Sequence, residues 1–233
     1  MEQGPLAMEA SRRRRTSFPQ LQLPQTVVQQ PIPEEILQAC GHAAQRLGGP
    51  RISTLGLTSS VAGEGRSSIA VAMALVHARE YGLPTLLLDA SFERPSLARR
   101  FDLPEGPGLA GVISGKASVE DALHPVGEGL TVMAAGEITD SRGRLATEFV
   151  ASNLLNELRE DFRVIVADLP AVLESTYGAR LASLFDRPLL VVRARVTPTS
   201  TVRKAISQLE TQPAILLNGT YSRLPGRLQR FFT

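Results

Sequence analysis

The octapeptide SVAGEGRS, which begins at Ser60, has the composition of a phosphate-binding loop that joins a strand to a helix. Gly63 and Gly65 permit the tight turn that directs backbone N–H groups toward phosphates, and the start of a helix attracts anions. Ser67 stands where such loops carry the hydroxyl that binds Mg²⁺. The pattern GxxxxGK[ST] fails at Ser60 and at Arg66, so a purely structural glycine-rich turn is an equal alternative.

Two carboxylates follow apolar runs that are typical of buried strands. Asp89 ends the run TLLLD, and Asp168 ends the run VIVAD. Ligands of open α/β sheets bind at the carboxyl ends of the strands, where both side chains would hold Mg²⁺ against phosphates, directly or through water. Either carboxylate could instead cap the helix that follows it. The order of the loop and the two acids along the chain favours the nucleotide site.

Strand-like apolar runs alternate with helical stretches from residue 52 onward. Strands are predicted at 52–58, 85–90, 130–135, 164–170, 188–194 and 214–218, and helices at 67–81 and near 145–160, 177–185 and 198–210, with a loop-rich middle up to about residue 128. This alternation predicts right-handed crossovers. The expected fold class is α/β, with a three-layer, doubly wound, mostly parallel sheet that carries helices on both faces.

The chain divides into one domain and two extensions. Its 233 residues, 43% of them hydrophobic, are enough for one α/β domain with a full core. Residues 1–31 are rich in Pro and Gln and predict a disordered basic arm, whereas 32–219 form the predicted nucleotide-binding domain. Within it, residues 33–47 begin with proline and glutamates and end before two glycines, which predicts a leading helix. Residues 220–233 are assigned to a C-terminal tail.

The domain itself is close to electrically neutral. The formal net charge is +2, but without the run Arg12 to Arg15 only 21 basic residues face 23 acidic ones. We therefore expect no nucleic-acid partner, and the run fits either a solvated tail or a tether to acidic lipid or a protein. Cys40 is the only cysteine, so no internal disulfide is expected. With neither a signal peptide nor an apolar span in the sequence, a cytoplasmic protein is expected.

The motifs together resemble those of a known family. TSSVAGEGRSS is similar to the first Walker motif, LLLDASFERPSL to the second, and VIVADLPAV to the Walker B strand of the bacterial tyrosine kinases of capsule and exopolysaccharide export, which are relatives of partition and septum-site ATPases. Further resemblance lies in VVRARVTPTSTVRKAISQLE, in AILLNG and in the pair Arg94-Pro95. The resemblance covers residues 33 to 219 and implies a fold of the P-loop NTPase type.

The resemblance also implies the site residues and cofactors. The cofactors would be ATP or ADP with Mg²⁺. The nucleotide contacts would be Gly63, Glu64, Gly65, Arg66, Ser67, Ser68 and Asn218, the metal-side residues Ser67, Asp89 and Asp168, and the catalytic residues Asp89 and Arg66. Asn218 matches a position near adenine in related ATPases, with a plain strand-end turn as the alternative.

Two departures from the family pattern lie in the expected pocket. Arg66 replaces the lysine that bridges the β- and γ-phosphates, and a planar guanidinium is not equivalent to a compact ammonium. Ser91 replaces a second acidic residue two positions after Asp89, and a serine supplies neither its charge nor an effective base. Nucleotide binding is compatible with both changes, but phosphoryl transfer is placed in doubt.

Two further departures lie outside the pocket. Active relatives carry a glutamate and two arginines at three-residue spacing in the leading helix, which lets subunits pack into a ring. The matching residues here are Glu35, Gln38 and Gly41, so ring assembly through this helix is in doubt. The tyrosine cluster that is phosphorylated in active relatives is reduced to Tyr221.

The sequence therefore predicts a nucleotide-binding, catalytically impaired regulator of exopolysaccharide or capsule biosynthesis. Whether it is an enzyme is left open, because an active protein-tyrosine autokinase and a partition-type ATPase that positions cargo are the alternatives. The expected partner is the cytoplasmic part of a membrane polysaccharide co-polymerase or export protein, and a homo-oligomer is a further expectation. The expected location is cytoplasmic, including the inner face of the plasma membrane.

Overall fold

The computed structural model describes residues 31–219. Its helices are α1 (Glu34–Leu47), α2 (Arg66–Arg79), α3 (Leu97–Arg100), α4 (Leu109–Ile113), α5 (Arg142–Ala151), α6 (Leu154–Asp161), α7 (Gly178–Ala182) and α8 (Thr199–Gln208). Its strands are β1 (Thr54–Ser59), β2 (Thr85–Asp89), β3 (His124–Gly127), β4 (Leu130–Met133), β5 (Val164–Asp168), β6 (Arg187–Arg193) and β7 (Ala214–Asn218). Short 3₁₀ turns span Gly49–Arg51, Glu120–Ala122 and Val172–Glu174.

The strands form one seven-stranded sheet in the order β3-β4-β2-β5-β1-β6-β7. All neighbouring strands are parallel except β3 and β4, which are antiparallel. The predicted α/β class with a mostly parallel sheet is confirmed. In the register of β2 and β5, Asp89 lies opposite Asp168, so both acids end at the same edge of the sheet. The chain leaves β1 beside them and enters α2 there.

Helix α2 is the central element of one face of the sheet. Its residues from Ile69 to Ala78 are all buried, because the sheet covers one side of the helix and α1 covers another. Helix α1 approaches closely through its small residues: a Cβ on Gly41 would lie 3.1 Å from Oε2 of Glu80. Burial on both sides explains why the sequence of α2 is apolar around its whole circumference.

The opposite face of the sheet carries α4 to α7. Leu86 and Leu88 of β2 point to this face, whereas Leu87 between them packs against α2. Helix α8 covers the end of the sheet near β6 and β7 and buries Leu190 and Val192. Alternate residues of the central strands therefore belong to different cores, as expected for a sheet covered on both sides.

The structure corrects two details of the sequence prediction. The helix expected near 145–160 is interrupted, because Ser152 leaves the helical conformation and its hydroxyl donates to the carbonyl of Phe149. The middle region expected to be loop-rich contains α3, α4 and the edge strand β3. The predicted arm up to residue 30, the predicted tail and Tyr221 lie outside the described residues. Within residues 31–219, the helices are too short or too polar to cross a membrane.

Buried His77 makes the stability of this fold sensitive to mild acid. Its Nδ1 lies 2.8 Å from the carbonyl oxygen of Met73, and its Nε2 has no hydrogen-bond partner among the described residues. Burial lowers the pKa of His77 below its usual value of 6.5. Since the unfolded chain then binds the proton more readily than the folded chain, stability falls as the pH drops through the unfolded-state pKa toward the folded-state pKa.

We therefore expect native protein to lose about 1 kcal/mol more unfolding free energy than His77→Met between about pH 7 and pH 5.5. The measurement is urea unfolding of both proteins at each pH. His42→Gln, at an exposed position of α1, is the control and should change stability little at either pH. An equal pH response in native protein and His77→Met would contradict the role assigned to His77.

Candidate functional site

The predicted phosphate loop has the backbone of a tight turn between β1 and α2. Gly63 and Gly65 have φ angles of 82° and 87°, in the left-handed region that glycine tolerates. A Cβ on Gly65 would lie 2.2 Å from Nδ2 of Asn218, so the position also needs the small residue. The loop ends at Arg66, the first residue of α2, where the free N–H groups and dipole of a 14-residue helix favour an anion.

The side chain of Glu64 holds the loop to the neighbouring strand. Its buried carboxylate accepts hydrogen bonds from the backbone N–H groups of Ser60 at 2.6 Å and Val61 at 3.1 Å. It also accepts from the N–H of Arg193 at 3.1 Å and from the hydroxyl of Thr197 at 2.5 Å. One carboxylate thus joins the start of the loop to the end of β6. This bracing role of the Glu64 side chain was not predicted from the sequence, although an acidic residue between two glycines of a turn is a signal for it.

Asn218 contacts the loop from the end of β7. Its Nδ2 donates to the backbone oxygen of Glu64 at 2.9 Å. This hydrogen bond joins β7 to the loop. It is neither of the two roles considered from the sequence, which were a contact near adenine and a plain turn at the strand end. A role of Asn218 near a base stays a prediction.

Arg66 turns across the pocket toward the strand-end acids. Its Nε donates to Oδ1 of Asp168 at 2.5 Å, and its Nη2 donates to Oγ of Ser91 at 3.1 Å. The side chains of Arg66 and Asp168 are 11% and 0% exposed, so this ion pair is buried. The residue that replaces the loop lysine therefore contacts the residue that replaces the second acid.

Asp89 lies beside this pair and caps α3. Its Oδ1 accepts from the N–H of Ser91 at 3.2 Å, and its Oδ2 accepts from the N–H groups of Ser96 at 2.8 Å and Leu97 at 3.0 Å. Burial, followed by the neighbouring Asp168 carboxylate, raises the pKa of Asp89 to about 7, although the three N–H donors favour the ionised form. The capping alternative considered for Asp89 is thus present in the structure.

Arg100 adds a second cation near the start of α2. Its Nη2 donates to Oγ of Ser68 at 3.0 Å. Burial lowers the pKa of Arg100, and the carboxylate of Asp168 opposes this shift. Arg66 and Arg100 therefore bring two guanidinium groups to the loop, and both are influenced by Asp168.

These contacts do not fit a bound Mg²⁺. The ion needs oxygen ligands in near-octahedral geometry, and the guanidinium of Arg66 already neutralises Asp168. Both oxygens of Asp89 accept backbone N–H groups, and Ser91 is uncharged. Across residues 31–219, no group of three or more His, Cys, Asp or Glu is placed to hold a metal. A metal role of Ser67, Asp89 and Asp168 stays a prediction that these contacts do not support.

A cavity of about 110 Å³ lies beside the loop, next to Arg66, Ser91 and Arg94. At its edge, Oε1 of Glu174 accepts from the N–H of Ala62 at 2.8 Å. Because Ala62 belongs to the loop, Glu174 occupies a donor that a phosphate would use. A larger cavity of about 210 Å³ lies between α5 and α7, away from the loop.

Several proteins with similar sequences are named as tyrosine kinases. The chain is 27% identical over 175 residues to "Putative tyrosine-protein kinase CapB" of Staphylococcus aureus, covering 75% of this chain and 76% of that one. It is 29% identical over 162 residues to "Tyrosine-protein kinase YwqD" of Bacillus subtilis, with coverage of 69% and 68%. It is also 30% identical to the "Succinoglycan biosynthesis transport protein ExoP" of Rhizobium meliloti, but spans only 22% of that protein. No protein-family model matches the chain.

A kinase domain and an ATPase are among the solved structures that resemble this chain. The kinase domain of VpsO superposes with a TM-score of 0.70 at 27% identity, covering 79% of this chain and 96% of that one. The cell division ATPase MinD of Pyrococcus furiosus superposes with a TM-score of 0.59 at 20% identity over 77% of this chain and 78% of that one, which shows a shared fold alone. The resemblance predicted from the motifs is confirmed.

The four hydrogen bonds to Glu64 predict a specific loss in a near-isosteric variant. Glu64→Gln removes the charge and places an amide N–H₂ against at least one of the donors that face the carboxylate. We expect it to lower the unfolding free energy by about 2 kcal/mol, measured by urea unfolding. Glu148→Gln, which breaks an exposed pair with Arg144 on α5, is the matched control and should have a much smaller effect. Equal effects of the two variants would contradict the bracing role.

Proposed function

Because the chain is a homologue of bacterial tyrosine-protein kinases, we propose that it binds a nucleotide at the loop from Ser60 to Ser67 but transfers phosphoryl groups poorly. Its role would be that of a kinase-like regulator of capsule or exopolysaccharide biosynthesis or export. The observation that carries this proposal is the contact of Arg66 with both Asp168 and Ser91.

The contact of Arg66 argues against efficient phosphoryl transfer. Such transfer depends on a loop cation that stabilises the charge of the β- and γ-phosphates. The guanidinium of Arg66 lies 2.5 Å from a buried carboxylate, which offsets much of its charge. A neutralised cation stabilises the developing phosphate charge less in the transition state.

The surroundings of Asp89 and Ser91 also argue against efficient phosphoryl transfer. Asp89 is fully buried, and both of its oxygens accept backbone N–H groups, so a substrate hydroxyl has no access to it. Ser91, which occupies the place of the second acid, shares its hydroxyl with Arg66. Neither Asp89 nor Ser91 is therefore an accessible base beside the loop.

Nucleotide binding is supported by the parts of the loop that do not depend on these acids. The left-handed glycines and the N-terminus of α2 supply backbone donors for phosphates. Glu64 and Asn218 keep the loop in place through protein contacts. A phosphate would displace Glu174, whose side chain is 41% exposed, from the N–H of Ala62.

The proposed partner is the cytoplasmic part of a membrane polysaccharide co-polymerase or export protein, which would place the chain at the inner face of the plasma membrane. The likeness to the transport protein ExoP supports this class of partner.

In α1, Gly41 is buried against Glu80, whereas Glu35 and Gln38 are exposed. Because positions 38 and 41 carry no arginine, a homo-oligomer would use contacts other than those of the arginines in a ring-forming helix.

The test measures nucleotide binding and asks whether two substitutions restore phosphoryl transfer. We expect calorimetric heat of binding with ADP and with a non-hydrolysable ATP analogue in at least one buffer, with or without Mg²⁺. With ATP and Mg²⁺, Arg66→Lys combined with Ser91→Asp should raise phosphotyrosine formation on an added tyrosine peptide by at least about tenfold. Readouts are calorimetry and a phosphotyrosine assay.

The matched control is Arg203→Lys combined with Ser207→Asp, at exposed positions of α8. It should leave both readouts unchanged. Absence of binding in every buffer would contradict the proposed function. If native protein forms phosphotyrosine, and does so as fast as the double variant, the protein is an active kinase and the proposed impairment is wrong.

A further inference from the structure

The guanidinium of Arg66 lies where a divalent cation would be expected. In nucleotide sites built on such a loop, the ion bridges the phosphates and a carboxylate at the end of a strand. Here Nε of Arg66 contacts that carboxylate, Asp168, and Nη2 contacts Ser91 on the neighbouring strand end. The group is 11% exposed and lines the cavity beside the loop.

Arg66 has enough N–H groups to bind a second anionic group besides Asp168. A guanidinium has five N–H groups, and two of them are used by Asp168 and Ser91. The remaining three are available to phosphate oxygens, which guanidinium groups bind in a bidentate manner. Arg66 can therefore bridge Asp168 and a phosphate at the same time, as a metal ion does.

A magnesium ion at the same place would meet an unfavourable charge distribution. Bound directly, it would lie about 2.1 Å from Asp168, and bound directly or through water it would face a guanidinium that lies 2.5 Å from the same carboxylate. Arg100 is a further cation near this carboxylate: burial lowers the pKa of Arg100, and the negative charge of Asp168 opposes this shift. Oδ2 of Asp168 has no hydrogen-bond partner in the part of the chain that the structure describes, but a carboxylate that is paired with Arg66 and lies near a second cation attracts a divalent cation less than a free carboxylate does.

We propose that Arg66 takes the place of Mg²⁺, so that the loop binds a nucleoside di- or triphosphate without a divalent metal ion. The inference rests on the proposed nucleotide binding and specifies its ligand as the metal-free nucleotide. Arg66 keeps its bond to Asp168 and donates its free N–H groups to the terminal phosphates. The loop and the N-terminus of α2 contribute backbone donors.

The test is calorimetric titration of the full chain with ADP and a non-hydrolysable ATP analogue, in EDTA and in excess Mg²⁺. We expect binding in EDTA to be at least as tight as in excess Mg²⁺, because excess Mg²⁺ converts the free nucleotide into a complex that this site does not favour. Binding that is weaker in EDTA than in excess Mg²⁺ overturns this inference but leaves the proposed nucleotide binding intact. Absence of heat in both buffers overturns both proposals.

The variant Arg66→Lys tests whether the guanidinium is responsible. A lysine cannot keep both Asp168 and a phosphate in bidentate contact, so its binding should become at least about tenfold tighter in Mg²⁺ than in EDTA. The control Arg99→Lys, at an exposed position of α3, should bind like native protein in both buffers. Unchanged metal-free binding by folded Arg66→Lys, with folding checked by circular dichroism, overturns the role assigned to Arg66.

Discussion

The buried ion pair between Arg66 and Asp168 determines what the pocket can do. It joins the start of α2 to the end of β5, and a further bond to Ser91 joins it to the residues after β2. Removing one partner of such a pair leaves a buried charge without compensation, which is strongly destabilising. The positive charge that a phosphate-binding loop normally presents to its ligand is therefore shared with the protein itself.

The rest of the site is consistent with a loop held by the protein. Glu64 joins the loop to β6, Asn218 joins it to β7, and Asp89 orders the start of α3. In a site where a metal ion and phosphates supply the ordering contacts, the acids would be left for the ligand. Here the backbone donors at the start of α2 remain available for a phosphate, whereas both oxygens of Asp89 and one oxygen of Asp168 already have partners within the protein, which separates binding from transfer.

Most strands of the sheet could be predicted from the sequence, but the contacts between residues at the ends of different strands could not. Apolar runs with alternating helices identify β1, β2, β4, β5, β6 and β7, and in the central strands burial on both faces imposes this local pattern. The break after Ser152 and the short strand β3 were missed, because one hydroxyl contact and an edge pairing leave little periodic signal. The ion pair of Arg66 spans 102 positions along the chain, so no local pattern could reveal it.

The most direct test of the account is the hydrogen exchange of the Nε–H of Arg66, measured by NMR with ¹⁵N-labelled arginine. The signal can be assigned by its loss in Arg66→Lys. Because this proton is buried in a bond to Asp168, the account predicts exchange that is much slower than for the exposed Arg99 and that stays slow when ADP is added in EDTA. Exchange of the Arg66 proton as fast as that of Arg99 would contradict the ion pair and, with it, the proposed replacement of the metal ion.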